Sequence, residues 1–187
     1  METPVGYAND DLGAARSSGG DERAISGLID QLRDHDGLKR HAARTQLVEI
    51  GPAAVGALIP LLADPSEQVR WEAAKALTEL PDPRAAEPLT GLLREADSIR
   101  WLAGTGLVNI GEAAFVPVVR ALLAHPDSPR LRDSAGRILR ELKRQQPDHP
   151  YIAELLDALQ GPAQAETIPW VARSVLKRMG LIQPDQA

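Results

Sequence analysis

The sequence predicts an all-α fold, a right-handed α-solenoid of about five helical hairpins. Three observations predict it. The first is an internal repeat. Val69–Leu80 reads VRWEAAKALTEL, and it recurs as IRWLAGTGLVNI at 99–110, as LRDSAGRILREL at 131–142 and as KRHAARTQLVEI at 39–50. Arg40, Arg70, Arg100 and Arg132 mark the register, with steps of 30, 30 and 32 residues. Ala43, Ala73, Ala103 and Ala135 keep the same steps, as do Leu47, Leu77, Leu107 and Leu139. A period of this length signals stacked units, none of which can bury its apolar face alone. The second observation is composition: 43% of residues are hydrophobic but only 3% aromatic. A core of Ala, Leu, Val and Ile suits closely packed helices. The third is that no segment alternates with period two, so no sheet is expected.

The elements follow in order. Residues 1–22 read as a flexible acidic tail, with Glu2, Asp10, Asp11, Asp21 and Glu22 against Arg16 and only isolated apolar residues. Residues 23–146 hold the repeats. From Ala24 the helical period starts, with Ile25, Leu28, Ile29 and Leu32 on one face. Asp34–Gly37 supplies a turn, and the next helix runs to Ile50. Gly51 is a positive-φ stop and Pro52 a helix opener. Pro60 should kink or shorten the following helix. Asp64–Ser66 turns the chain into the Val69 copy, which Pro81–Pro83 ends. Asp97 and Ser98 are candidate caps for the Ile99 copy, and Ser128–Pro129 opens the Leu131 copy. Residues 147–187 read as a degenerate capping hairpin, with Pro147–Pro150 as the break and Thr167–Pro169 opening the last helix.

Bulk properties exclude several classes. Cysteine is absent, which removes disulfides and thiolate metal sites and suits a reducing cytoplasm. No uninterrupted apolar run reaches membrane-spanning length, and no membrane partner is expected. Net charge is −5, carried mostly by the tail, so the body is close to neutral and makes no strong case for nucleic acid. Gly104–Gly106 and Ser18–Gly20 lack the context of a phosphate loop. His35, His41, His125 and His149 are never three or four apart, so no metal site is assigned. No catalytic residue and no cofactor is assigned either.

The repeated text is a turn Asp, then V/I-R-W, then A-x-x-x-L-x-x-I/L. It resembles HEAT repeats of the short variety found in phycobilisome-lyase-type proteins, across roughly residues 24–144. The resemblance implies a ladder in which the turn Asp and the Arg six residues on bind within and between repeats. Asp34 with Arg40 and Asp64 with Arg70 have that spacing; Asp127 and Arg132 are one residue closer. Arg100 departs, because position 94 is Arg. A guanidinium there can satisfy turn carbonyls and a carboxylate together, so these arginines read as structural.

The same resemblance implies that the second helix of each hairpin lines the concave face. Each Trp lies two residues after an inward Val or Ile, turned by about 200° from it. It therefore belongs on the flank or outer surface, where it can either pack along the neighbouring helix or meet a partner. The candidate partner-binding ribbon comprises His41, Trp71, Lys75, Trp101, Thr105, Arg137, Arg140 and Arg144, with Thr45, Val48, Thr78, Val108 and Asp133 beside them. An aromatic centre with a basic end suits a protein or peptide groove. The expected function is a protein-binding scaffold or adaptor. The alternatives are a lyase or isomerase acting on a planar chromophore, with His41 and Asp133 as the nearby acid–base groups, or a nucleic-acid binder using Arg137, Arg140 and Arg144.

Overall fold

The computed structural model describes residues 11–183. Among these residues there is no strand, and the chain passes through ten α-helices. The first hairpin is α1 (Asp11–Gln31) and α2 (Gly37–Ile50). The second is α3 (Pro52–Leu58), prolonged by a 3-10 turn over Ile59–Ala63, and α4 (Glu67–Glu79). The third is α5 (Ala86–Gly91), flanked by 3-10 turns at Pro83–Ala85 and Leu92–Arg94, with α6 (Asp97–Ile110). The fourth is α7 (Phe115–Ala124), preceded by a 3-10 turn at Gly111–Ala114, and α8 (Pro129–Gln145). The last is α9 (Ile152–Gln160) and α10 (Gln164–Arg178).

Local chemistry accounts for several boundaries. Asp36 caps α2 by accepting from the Leu38 amide at 2.8 Å, and Ser128 caps α8 by accepting from the Leu131 amide at 3.4 Å. Pro52 and Pro129 stand in the first turns of α3 and α8, where a missing N–H leaves no bond unmade. Gly51 and Gly111 reverse the chain at φ of 80° and 76°, a region that side chains resist. Pro60 falls in the 3-10 turn that shortens α3.

Three expectations are corrected. α1 begins at Asp11 rather than near Ala24, while residues 1–10 and 184–187 lie outside the described residues. Asp97 and Ser98 do not cap α6: the helix already includes both, and the cap position is Ala96 with no side-chain bond. Arg100 takes the Asp97 carboxylate instead, at 2.6 Å. α10 opens at Gln164 behind Ala163, which has φ of 56°, so Pro169 lies inside the helix rather than at its start.

The helices form two rows. α2, α4, α6 and α8 pack side by side in chain order; α1, α3, α5 and α7 build the other row. Ala43, Ala73, Ala103 and Ala135 are all 0% exposed, as are Leu47, Leu77, Leu107 and Leu139. The repeat register seen in the sequence is therefore the buried seam of the stack. The most apolar stretch, Asp97–Ala124, is bent at Gly111 into α6 and α7, and its Ile99, Leu107, Phe115 and Leu122 are core residues. The final hairpin exchanges rows: α9 lies against α8, and α10 against α7. The turn between α8 and α9 is anchored by His149, which meets the Phe115 ring at 4.3 Å and the Glu112 carboxylate at 3.2 Å.

The arginine ladder is present at three of four positions. Arg40 Nη1 donates to the carbonyls of Asp34 and His35, and Arg70 Nη1 to those of Asp64 and Pro65. Arg132 Nη1 donates to the Pro126 carbonyl. Arg100, the position that departs in sequence, has no such bond among the described residues and turns to Asp97. The turn carboxylates Asp34 and Asp64 each accept the amide two residues on, at 2.9 Å. That amide, then Lys39, holds the Asp34 carboxyl below its ordinary value; for Asp64 the Ser66 amide does so, followed by Arg33.

Two outcomes are expected. Leu107→Ala should lower stability by about 2–5 kcal/mol by leaving a cavity in the seam, and Leu38→Ala, at an 80% exposed residue, by less than about 0.5 kcal/mol; urea unfolding checks both. Asp34 and Asp64 release protons more readily in the folded state, so the stability they add is present above the unfolded value of 3.8 and is lost as pH falls through their lower folded values. D34N/D64N should flatten the fall in urea midpoint between about pH 5 and 2.

Candidate functional site

The outer side of the row α2–α4–α6–α8 holds the residues that the repeat leaves unburied. Val69 and Ile99 turn inward, so two residues later the indoles turn out. The two do not share one environment. Trp71 is half-buried, with the Arg44 guanidinium carbon 5.6 Å from its ring centroid, a cation–π stack from the preceding helix. Trp101 is 59% exposed, and no cation is stacked on it among the described residues. Trp71 thus takes the repeat-stacking role that the sequence left open, whereas Trp101 faces outward.

The remaining ribbon residues sort along the row. His41 is exposed on α2, its Nδ1 2.6 Å from Arg44 Nη2. Thr45 lies beside it, bonded to the His41 carbonyl. Lys75 pairs with Glu79 at 3.6 Å along α4. Thr78 is buried, bonded to the Lys75 carbonyl, and its own carbonyl accepts from Asn109 of α6 at 2.7 Å. Thr105 donates to the Trp101 carbonyl at 2.9 Å. Arg137 reaches across from α8 to that carbonyl at 3.4 Å. Arg140 is exposed beside Gly136. Arg144 is neutralised locally by Glu141 at 2.6 Å, so the basic end is narrower than the sequence suggests.

Two clefts follow the indoles. Trp71 borders one with Glu67, Gln68 and Ser98, between α4 and α6. Trp101 borders the next, between α6 and α8, with Asp97, Arg100, Asp133, Ser134 and Arg137; its volume is about 320 Å³. Of the candidate residues, the structure brings Trp101 and Arg137 into this one cleft, while His41 and Lys75 line neither. Burial, and then the charge of Arg100, pulls the Arg137 guanidinium below its ordinary value.

Sequence reasoning missed the most buried charge of the surface. Glu72 is 4% exposed and sits between α2 and α4. It accepts from Arg40 Nε at 3.3 Å, from Gln68 Nε2 at 3.3 Å and from Arg44 Nη1. Its signal lay in the repeat column: positions 42, 102 and 134 are Ala, Leu and Ser. Arg44 likewise occupies a column that is otherwise Ala74, Gly104 and Gly136. The two departures are partners, and together they tie the first repeat to the second and brace Trp71.

With this geometry in hand, comparison with known proteins gives two findings. Residues 25–101 match the family model described as HEAT repeats. The fold is similar to a chain in the structure of the complex of CpcE and CpcF of phycocyanin lyase from Nostoc sp. PCC7120. The TM-score is 0.55 and the identity 24%, over 81% of this chain and 98% of that one. At that identity the likeness is one of fold. No curated protein matches the chain by sequence.

Removing the buried carboxylate should leave two guanidiniums uncompensated. Glu72→Ala is expected to destabilise by about 3 kcal/mol or more, and R44L/E72L by less, since it replaces one buried pair by apolar groups and leaves only Arg40 without its carboxylate. Urea midpoints of the two variants and the parent check the ordering.

Proposed function

We propose that this HEAT-repeat α-solenoid, which shares its fold with phycocyanin-lyase-type chains, is a binding module for a protein partner. The partner lies on the outer side of the second-helix row, which would form the concave wall of the superhelix. The observation that carries this reading is Trp101. A large aromatic side chain left 59% exposed, at a register fixed by the repeat and beside a cleft, is what a protein contact uses as an anchor. The rest of the candidate ribbon serves as its rim: His41, Trp71, Lys75 and Thr105 on one side, Arg137, Arg140 and Arg144 on the other. The fold neighbour is a complex of two named chains, CpcE and CpcF, which supports looking for a protein as the occupant. A reducing cytoplasm is the proposed compartment.

The same neighbour favours a second reading, a lyase-type activity on a planar chromophore held against Trp101. The acid–base groups would be His41 and Asp133. His41 is engaged by Arg44 on α2, two helices from the Trp101 cleft, so Asp133 would have to act without it. An absorbance shift on adding a bilin, abolished by Trp101→Ala, is the mark of this reading. Nucleic acid fits less well, because Asp97 and Asp133 border the same cleft as Arg137 and Arg144 is ion-paired.

Capture from the native host with the full chain as bait tests the main reading. Trp101→Ala should weaken the captured partner by about tenfold or more, the scale of an interface hot spot, and Leu38→Ala should leave it unchanged. Binding unchanged in both Trp101→Ala and Trp71→Ala, with the fold intact by circular dichroism, would reject the surface.

A further inference from the structure

We infer that the α6–α8 cleft is a seat for a single carboxylate, an Asp or Glu side chain of the protein partner, held by Arg137 with its stem against Trp101. This rests on the reading of the row as a protein-binding surface and specifies what it takes. Gly104 carries the argument. A Cβ placed there would lie 2.0 Å from Arg137 Nη2 and 3.1 Å from its Cζ, and the three atoms nearest to that Cβ all belong to Arg137. A glycine in the middle of α6, which costs helix propensity, is therefore the space into which the guanidinium folds.

Once seated, that guanidinium is poorly matched. Its only acceptor among the described residues is the Trp101 carbonyl at 3.4 Å, and no carboxylate pairs with it. Burial and the neighbouring Arg100 both oppose its charge. Arg100 makes no bond among the described residues to turn carbonyls of the kind Arg40 and Arg70 use, and is held by Asp97, a carboxylate 86% exposed. A cationic fork that is half-buried, without a counter-ion and beside an outward-facing indole is arranged for an incoming anion. The borders choose the kind of anion. Asp97 and Asp133 flank the two arginines, so the cleft as a whole carries no excess positive charge. A dianionic phosphate would bring twice the charge towards those carboxylates that a monoanion brings, and a planar monoanion on an apolar stem matches the fork and lies against Trp101.

The test uses the full chain and short peptides. Acetyl-Ala-Glu-Ala-amide, its Gln and phosphoserine counterparts and oligo(dT) are titrated while the Arg137 Nε–Hε and Trp101 indole N–H resonances are followed. The Glu peptide should shift both saturably. The Gln peptide should bind about tenfold more weakly, the difference between a charge-assisted and a neutral hydrogen bond. Gly104→Ala should abolish the shift at Trp101 with the melting temperature at or above that of the parent, and Arg137→Lys should weaken it despite keeping the charge. Equal binding of Glu and Gln peptides, no shift with any probe, tighter binding of phosphoserine or oligo(dT), or retention of the Glu peptide by both Gly104→Ala and Arg137→Ala would overturn the inference. Partner capture separates the two proposals. If Trp101→Ala loses the partner while Gly104→Ala and Arg137→Ala keep it, the surface stands and the carboxylate seat falls. If all three keep it, the surface falls as well.

Discussion

The structure depends on one steric constraint: each helix of the row α2–α4–α6–α8 must be approached closely by its neighbours. Ala43, Ala73, Ala103 and Ala135 are the small, fully buried members of that row at one level. The Leu column at 47, 77, 107 and 139 lies one turn on, on the same buried face, and small residues admit the neighbours most closely: a Cβ on Gly106 would lie 3.0 Å from the Leu89 side chain and 3.8 Å from the Leu77 carbonyl. The spacing then fixes everything carried on the same helices. The arginines fall level with the turns, and the indoles fall level with the clefts. A longer side chain at any of the four alanines would move a whole hairpin rather than one contact, because the core is continuous along the stack.

Within this regular frame, the departures from regularity hold the individuality of the molecule. At the first junction the departure is a lock: Arg44 and Glu72 replace residues that are small or uncharged elsewhere, and they join α2 to α4. At the third junction the departure is an opening. Arg94 stands where the turn carboxylate would be, Arg100 leaves the ladder, and Gly104 and Gly136 clear room beside Arg137 and Arg140. The locked end and the open end are two helices apart on the same wall. That difference explains why two tryptophans in equivalent positions, Trp71 and Trp101, have such different exposure.

Much of this was legible in the sequence, for a physical reason. Periodic burial writes periodic residues, so the alanine and leucine columns, the hairpin count and three rungs of the arginine ladder could be read directly. The spacing of six residues between Asp34 and Arg40, or Asp64 and Arg70, survives as a guanidinium bonded to the turn. What could not be read depends on where side chains end up rather than on where they start. Glu72 looks like one more surface carboxylate until its three donors are seen around it. Arg137 looks like the first member of a solvated basic face, yet its guanidinium folds back over a glycine of another helix. Asp97 looks like a cap, but a nearby arginine claims it. The Pro169 inside α10 was missed because proline argues locally against a helix that the burial of Ile168 and Ala172 then imposes, and the start of α1 because its Gly and Ser are weak helix formers.

The exchange of rows in the final hairpin has a consequence for how such a chain can grow. Because α10 lies on α7 and α9 on α8, the polypeptide leaves the stack from the opposite layer to the one every earlier hairpin leaves from. A duplicated hairpin inserted between α2 and α8 would find its neighbours in the right order. Lengthening by internal copying is therefore open to this architecture.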